Sequence, residues 1–431
     1  MANMKEAWTV AKRRGNGEGN IYQRKDKNGK PIPEAWEGKV SIGFDPATGK
    51  PKRQSFSGKT RRDVADKIAA ALAALNTGTY IEPSKITLGE WLDRWLIDYM
   101  KLSLRPTAYQ VYETNLRLHV KPHVGHITLK ALQANDLQSL FNNLLKDGRA
   151  AKEWDKDANP GLSLETVYKI RTIVKSALKQ AVDNDLILKN PATATKLPPM
   201  EKTEVIPFTS EEAGQLLNTA RSSRLFAGYY LDMFAGLRRG EMLGLMWDDF
   251  NWTAPNFEIK RELVSFKDEK TGKYILDFLP PKTPKSRRII PMTEDMVKVL
   301  KSHKAKQIEE KLLFGAAYHN ENLVFCSEDG HRIWPRNFNR QYTGLLKQSG
   351  IEYKKPHTMR HTCASLLLES GEELKNVQEI LGHSKISVTA DIYTHVLEKT
   401  KKKALDKLNG IISVDLTEQP TIRRRRKVAE R

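Results

Sequence analysis

The sequence predicts a multidomain, mainly α-helical protein with a small β-sheet near its N-terminus. The chain has 431 residues, which is more than one ordinary domain requires. Apolar residues recur at helical spacing over long stretches, whereas short strand-like segments next to glycine turns occur near the N-terminus and between residues 257 and 291. We therefore expect a three-stranded sheet with one helix, then a helical domain, then a mixed α+β domain.

The composition is strongly basic, with a formal net charge of +20 and a sequence pI near 9.6. Such an excess indicates a polyanionic partner, either nucleic acid or an anionic membrane surface. No apolar run approaches the ~18 residues of a membrane span, and residues 1–14 lack the apolar core of a signal peptide. The two cysteines, Cys326 and Cys363, fit a reducing cytoplasm and exclude a disulfide framework. Nucleic acid is the leading partner.

The first predicted domain spans residues 1–78. Segments 19–24, 35–44 and 52–56 have strand character, and an alanine-rich helix follows at 60–75. We expect one exposed face of the sheet to carry basic residues beside Tyr22 and Trp36, as in a ribbon that enters a DNA groove. The basic residues are Arg24, Lys39, Lys52 and Arg53. The alternative is a basic surface that only keeps the domain soluble.

The second predicted domain spans residues 85–195 and is all-helical. Thr87 and Glu90 form a capping-box pattern that opens a helix at 91–100. Further helical patterns cover 108–119, 129–146 and 163–185. No catalytic set of residues appears here, so its Lys and Arg side chains either contact DNA or form ordinary solvated faces.

The third predicted domain spans residues 205–412. A capping box at 209–212 begins a helix that runs toward Phe234 and ends at Gly236, where a tight turn leads into another helix. Strands are expected at 257–266 and 273–279, with the basic segment 282–291 continuing their sheet. Helices are expected at 295–314, 337–348 and 396–408, and a strand at 411–416. Residues 413–431 form a basic tail with four consecutive arginines.

Residues 355–396 hold side chains suited to the attack of a phenol on a phosphodiester. His357 and Arg360 are three positions apart, so on a helix both can face one phosphate. Arginine can form paired hydrogen bonds to a phosphate, which lysine cannot imitate. No paired-carboxylate motif for Mg²⁺ is evident in the sequence, which favours a covalent route without metal.

An ordered set of motifs in this third domain resembles the tyrosine recombinase (phage integrase) family, and more narrowly the integrases of phages and conjugative transposons. The motifs are GLRRGE, KTPKSRRIIPM, HTMRHT, LGHS and a tyrosine ten residues beyond that histidine. The resemblance covers about 207–409. It implies that the two upstream domains are an arm-type DNA-binding domain and a helical core-binding domain.

The resemblance also implies roles for individual residues. Arg238 and Arg360 would clamp the phosphate, and Glu241 would support the first of these arginines. His357 would transfer a proton to and from the attacking phenol, and His383 would hydrogen-bond the phosphate.

The remaining roles belong to a lysine and a tyrosine. Lys282 would be the general acid that protonates the leaving 5′ oxygen, and Lys285 is a less favoured candidate. Tyr393 would be the nucleophile, with Tyr342 and Tyr353 as alternatives that do not follow the LGHS motif.

The function implied is site-specific recombination through a 3′-phosphotyrosine intermediate, which integrates and excises a mobile element without metal or other cofactor. Double-stranded DNA with core and arm-type sites would be the substrate. The partners implied are a homo-tetramer on DNA, a DNA-bending host factor and an excisionase, in the nucleoid of a bacterial cytoplasm. Three alternatives stay open: a type IB topoisomerase, a non-catalytic DNA-binding or architectural protein, and a metal-dependent transposase.

Overall fold

The computed structural model describes residues 20–44, 49–77, 85–149, 160–201, 205–386 and 390. Tyr393, the helix expected at 396–408, the strand at 411–416 and the basic tail lie outside these residues. The chain divides into two compact units at residues 200–201, except that Arg105–Gln110 group with the second unit. None of the described helices is long and apolar enough to span a membrane.

Near the N-terminus, three antiparallel strands form one sheet in the order β1-β2-β3. They are β1 Asn20–Lys25, β2 Pro31–Phe44 and β3 Pro51–Gly58, followed by the helix α1 Arg61–Asn76. Thr60 caps α1 by accepting a hydrogen bond from the backbone of Asp63 at 3.1 Å. The expected sheet and helix are confirmed, although β2 begins four residues earlier than the sequence predicts.

The strand register decides which basic side chains share a face of this sheet. Lys39 pairs with Ser55 and Ser41 with Arg53, so Lys39 and Arg53 leave the sheet on the same open face. Tyr22 lies opposite Glu37 and belongs to that face as well.

Trp36 and Lys52 do not lie on the open face with Lys39 and Arg53, where the sequence predicts them to lie. Trp36 packs with Val40, Val64 and Ile68 under α1, so the prediction that it lies on the exposed face was wrong. Lys52 precedes Arg53 directly, and neighbouring side chains of a strand point to opposite faces. The Lys52 side chain is therefore exposed because it is near the end of β3, and it does not share a face with Arg53.

The helical part that follows is built from α2 to α6. Their bounds are α2 Leu88–Trp95, α3 Pro106–Asn115, α4 Lys121–Val124, α5 Ala134–Asp147 and α6 Leu164–Asp183. Wider π-helical turns at Leu96–Met100 and Leu116–Val120 continue α2 and α3. The predicted capping box is confirmed, because Thr87 and Glu90 exchange backbone-to-side-chain bonds of 2.9 and 3.3 Å.

The helix expected from residue 129 begins five residues later. The backbone N–H of Leu129 donates to Ile86 at 3.0 Å, which holds this segment in a turn. The helix α5 begins where the Asp136 carboxylate accepts the backbone N–H of Gln133 at 2.9 Å. Periodicity alone could not reveal this, since Leu129 and Leu132 are buried from the turn as they would be from a helix.

The second unit alternates helices with short strands. Its helices are α7 Ser210–Ala220, α8 Phe226–Ala235, α9 Arg239–Leu243, α10 Glu294–Phe314, α11 Pro335–Gln348, α12 Thr358–Glu369 and α13 Leu374–Leu381. Its strands are β4 Phe250–Asn251, β5 Asn256–Glu258, β6 Glu262–Lys267, β7 Tyr274–Leu279 and β8 Ile289–Pro291.

Two predictions for this unit were wrong in detail. The single helix expected from the capping box at 209–212 to Phe234 is two helices, α7 and α8. A turn that includes Ser223 separates them, and the Ser223 hydroxyl accepts the backbone N–H of Leu225 at 3.2 Å. The strand expected at 257–266 is also interrupted. Lys260 and Arg261 turn toward the buried Asp249 at 3.3 and 2.6 Å, which separates β5 from β6.

The basic segment 282–291 does not extend the β6–β7 hairpin as expected. Its strand β8 pairs instead with β5 in the small sheet β4-β5-β8. A short 3₁₀ turn at Pro284–Ser286 lies between the hairpin and this strand.

One large apolar cluster holds the second unit together, with α8 at its centre. Tyr229 on α8 packs against Phe338 of α11 with ring centroids 5.5 Å apart, and Phe325 and Leu231 are fully buried beside them. Burying one side chain of this size stabilises the fold by about 1.5–3 kcal/mol. Because α8 is packed in this core, the position of its C-terminal end at Gly236 is fixed.

Candidate active site

The turn after α8 positions Arg238. Gly236 adopts a left-handed conformation, with φ 58° and ψ 43°, that ends the helix. A Cβ atom there would lie 2.5 Å from Cδ2 of Leu381, so both the backbone angle and the close packing require glycine. The chain then turns, and α9 begins one residue after Arg238.

Glu241 fixes Arg238 through two hydrogen bonds. Its Oε1 accepts a hydrogen bond from Nη1 of Arg238 at 2.5 Å, and its Oε2 accepts the backbone N–H of the same residue at 3.0 Å. The Glu241 side chain is 1% exposed, whereas that of Arg238 is 33% exposed. One edge of the guanidinium is therefore fixed while the rest reaches solvent.

Arg360 is fixed by two helix ends rather than by a carboxylate. Its Nη1 donates to the carbonyl of Gly236 at 2.6 Å, and its Nη2 to the carbonyl of Leu381 at 2.5 Å. Burial, followed by the positive charge of Arg238, lowers the pKa of Arg360, but a guanidinium remains charged at neutral pH. Two cations thus lie close enough to repel each other, which makes the site attractive to an anion.

His357 and His383 lie near the same charges. His357 precedes α12 and packs edge-on against His361 at 4.8 Å. Desolvation, and then repulsion by His361 and Arg360, lowers the pKa of His357 to about 4, although the residue still presents surface to solvent. For His383, desolvation and then repulsion by Arg360 lowers the pKa to about 3. Both rings are neutral at pH 7 and can accept a proton.

A left-handed glycine also sets the backbone of His383. Gly382 ends α13 with φ 66°, and the next residue donates its N–H to Gln378 at 3.1 Å. The carbonyl of His383 accepts a bond from the side chain of Gln378 at 2.9 Å. These bonds fix the turn that carries His383.

A cavity of about 500 Å³ opens beside Arg238 and His357. Tyr353 and Lys355 line it, as does Asp232, which is 2% exposed. Burial raises the pKa of the Asp232 carboxyl well above its ordinary range. This cavity leaves room for a bound group next to Arg238 and a candidate base.

The structure places the lysine and tyrosine candidates differently. Lys282 is exposed between β7 and the 3₁₀ turn. Lys285 donates to the carbonyl of Ser384 at 3.4 Å. Tyr342 is fully buried against Tyr229, so it is unsuited to attack a substrate.

Tyr353 is the more serious alternative nucleophile. It is 60% exposed and lines the cavity beside Arg238 and His357. Tyr393 itself lies outside the described residues, so its assignment stays a prediction. In the part of the chain that the structure describes, no group of three His, Cys, Asp or Glu side chains is placed to hold a metal ion.

The sequence reasoning missed Arg288. It belongs to the basic segment before β8, and its side chain donates to the Glu241 carboxylate at 3.0 Å. No local sequence signal identifies it, because the inward direction of Arg288 depends on the pairing of β8 with β5.

Comparison with known proteins agrees with this architecture. The phage integrase family matches residues 208–400, and the phage integrase N-terminal SAM-like domain matches residues 87–145. A tyrosine recombinase XerC-like protein of Caldanaerobacter subterraneus subsp. tengcongensis is 33% identical over 398 residues, covering 89% of this chain and 97% of the relative. The ICEBs1 integrase of Bacillus subtilis is 24% identical over 86% of this chain and 96% of its own.

Among solved structures, the Tn1549 transposon integrase in complex with a circular intermediate DNA superimposes with a TM-score of 0.60. It is 19% identical, and the match covers 75% of this chain and 99% of that one. This likeness supports the mainly helical, multidomain fold with a mixed catalytic part. The 33% identity to a tyrosine recombinase XerC-like relative matched over nearly its whole length, with the phage integrase family match over residues 208–400, shows that the chain is an enzyme of the tyrosine recombinase (phage integrase) family.

Proposed function

We propose that this protein is a site-specific integrase that cuts and rejoins DNA through a 3′-phosphotyrosine intermediate and thereby moves a mobile element. The observation that carries the proposal is the pair Arg238 and Arg360, whose guanidiniums are fixed by buried groups and whose summed positive charge exceeds the single negative charge of Glu241. A phosphodiester bound between them would receive several charge-assisted hydrogen bonds. Those bonds strengthen as negative charge develops on the non-bridging oxygens.

In the proposed cleavage step, the phenol oxygen of Tyr393 attacks phosphorus and the bond to the 5′ oxygen breaks. His357 takes the phenol proton, and its lowered pKa means that the ring is neutral before the reaction. Lys282 gives a proton to the departing 5′ oxygen, and His383 donates to the phosphate. An unperturbed phenol has a pKa of ~10, and nearby cations favour its ionised form.

The products are a 3′-phosphotyrosine and a free 5′ hydroxyl. Because the phosphotyrosine ester retains the bond energy, attack by a 5′ hydroxyl of a partner strand rejoins DNA without ATP. His357 then returns the proton to the phenol. Neither a metal ion nor another cofactor is required by this scheme.

DNA is the proposed substrate, and the surface charge supports it. The chain carries a net charge of +20. On α11, the exposed Arg336, Arg340 and Lys347 follow helical spacing and form one basic face. Arg239 donates to Asn339 on this helix at 2.8 Å, which links the basic face to the residue that follows Arg238.

We further propose the domain roles that the sequence predicts. Residues 1–78 would bind arm-type sites, 85–195 would bind core sites, 205–412 would catalyse strand exchange, and 413–431 would form a basic tail. Arg53 and Lys39 are the best placed arm-site contacts, since they share the open face of the sheet. The assembly would be a homo-tetramer on bent DNA, with a host bending protein and an excisionase as accessory partners.

A nicked suicide substrate, built from the joined ends of the element and incubated in EDTA, tests the mechanism. We expect a covalent protein–DNA complex that disappears in Tyr393→Phe and persists in Tyr353→Phe, a control that alters the phenol lining the cavity beside Arg238. Loss of the complex in Tyr353→Phe alone would reassign the nucleophile. DNA binding without any complex would favour the architectural alternative, and a requirement for a divalent metal would favour a transposase.

A topoisomerase of type IB would share this cleavage chemistry. A substrate with two half-sites separates the two functions, because an integrase joins strands from different duplexes whereas a topoisomerase reseals the same strand. Recombinant product from two labelled duplexes would support the integrase.

A further inference from the structure

One of two adjacent arginines before β8 is turned into the protein. From Ser286 to Ile290, buried and exposed residues alternate, so Arg287 faces solvent and Arg288 faces inward. The Arg288 side chain is 6% exposed. A charged group so deeply buried needs partners that offset the loss of water.

Arg288 contacts two elements of the active site at once. Its Nη2 donates to Oε2 of Glu241 at 3.0 Å, and its Nε donates to the carbonyl of Ile380, in the last turn of α13, at 2.5 Å. Gly382 lies against the same side chain, since a Cβ there would be 3.0 Å from Cδ of Arg288. The arginine therefore joins the carboxylate that supports Arg238 to the turn that carries His383.

The charge balance around Glu241 depends on this contact. Burial alone would raise the pKa of Glu241, but the charges of Arg288 and then Arg238 lower it. With Arg288 present, one carboxylate is shared by two guanidiniums, and the cluster with Arg360 keeps a net positive charge. Without Arg288, the carboxyl would take up a proton more readily and would hold Arg238 more weakly.

We propose that Arg288 is a positioning residue for strand cleavage, which binds the Glu241 carboxylate that holds Arg238 and fixes the His383 turn against the same carboxylate. This inference rests on the proposed function for its catalytic consequence. The interaction of Arg288 with Glu241 exists in the folded protein without DNA, so it can be tested separately from the effect on cleavage.

The first experiment measures Tm against pH for wild type, Arg288→Gln and Arg288→Lys. In Arg288→Gln, Glu241 loses its main cation, so the variant should be less stable at neutral pH. That deficit should shrink on acidification, as Glu241 in the variant becomes protonated. The control is Arg261→Gln, which also breaks a pair with a buried carboxylate, but Asp249 retains Lys260 at 3.3 Å. We expect its deficit to vary less with pH.

The second experiment measures single-turnover cleavage of the suicide substrate and DNA affinity for the same variants. Misplacement of a catalytic group by about 1 Å can lower the rate on the order of 100-fold. We expect that loss in Arg288→Gln with unchanged DNA affinity, partial rescue in Arg288→Lys, and a rate close to wild type in Arg261→Gln. In the double variant Glu241→Gln/Arg288→Gln, removing Arg288 should slow cleavage by a smaller factor than it does in the wild type, because the effect through Glu241 on Arg238 is already lost and only the hold on the His383 turn remains.

Wild-type cleavage rates in folded Arg288→Gln would overturn the proposal, as would equal losses in Arg261→Gln. A stability deficit that stays constant with pH would also overturn it. If Arg288→Gln fails to fold, Arg288→Lys carries the comparison, and a wild-type rate there with no pH-dependent deficit counts against the proposal. If the wild type forms no covalent complex, the proposed function fails, while a pH-dependent deficit still supports the Arg288–Glu241 coupling.

Discussion

The replacement of Gly236 by alanine tests how the end of α8 holds the arginine pair. A left-handed conformation costs a residue with a Cβ atom roughly 1–2 kcal/mol. The added atom would also lie 2.5 Å from Leu381, and overpacking of this kind costs about 1–3 kcal/mol more. We therefore expect Gly236→Ala to lower the free energy of unfolding by roughly 2–5 kcal/mol.

Gly350 offers a matched control for the backbone term. It has φ +67° against +58° at Gly236, and a Cβ there would meet no atom within 4 Å. Gly350→Ala should therefore cost only the conformational term of roughly 1–2 kcal/mol. Urea unfolding of both variants gives the packing cost of Gly236→Ala as the difference between them.

The same variant should slow cleavage. Leu381 and Gly236 each supply a carbonyl that fixes Arg360, at 2.5 and 2.6 Å, and pushing them apart moves the guanidinium. A displacement near 1 Å can cost on the order of 100-fold in rate. Equal unfolding free energies for the two alanine variants, or wild-type cleavage by Gly236→Ala, would refute the reasoning.

Two further predictions concern charge. Asp232→Asn should raise Tm at pH 7. Burial raises the pKa of the Asp232 carboxyl, so the wild-type protein loses stability as the pH rises toward that raised pKa, and asparagine removes this loss. The gain in Tm should fade as the pH drops toward 4, and a gain that does not change with pH would contradict the prediction. Arg340→Gln should reduce the slope of log affinity against log salt by about 0.9 if this residue neutralises one phosphate. Lys298→Gln on α10, which removes an exposed lysine paired with Asp295 at 3.1 Å, should leave the slope unchanged, and equal slopes for both variants would exclude Arg340 as a phosphate contact.

Local sequence signals predicted the frame of the site. Gly236 followed by Arg238 and Glu241 is a helix stop, a turn and a helix start within six residues, and the structure has that order. Such features depend on neighbouring residues, so periodicity and capping residues reveal them. The three-stranded sheet and its helix were predictable for the same reason.

Features that depend on distant partners were not predictable from the sequence. Whether Arg287 or Arg288 faces inward is decided by the pairing of β8 with β5, more than 30 residues earlier in the chain. The interruption at Lys260 and Arg261 likewise depends on the buried Asp249. Trp36 was misplaced because strand alternation gives two faces without saying which one the helix covers.

The two arginines of the clamp are oriented by groups of different chemistry. Arg238 depends on a carboxylate, which acid can neutralise, whereas Arg360 is aligned by the carbonyls of Gly236 and Leu381 at the ends of α8 and α13. Helix ends carry partial negative charge that no proton can remove. Acidification should therefore weaken the hydrogen bonds that orient Arg238 before it affects those that orient Arg360. Guanidinium NMR signals recorded against pH would show Arg238 gaining motion before Arg360 does.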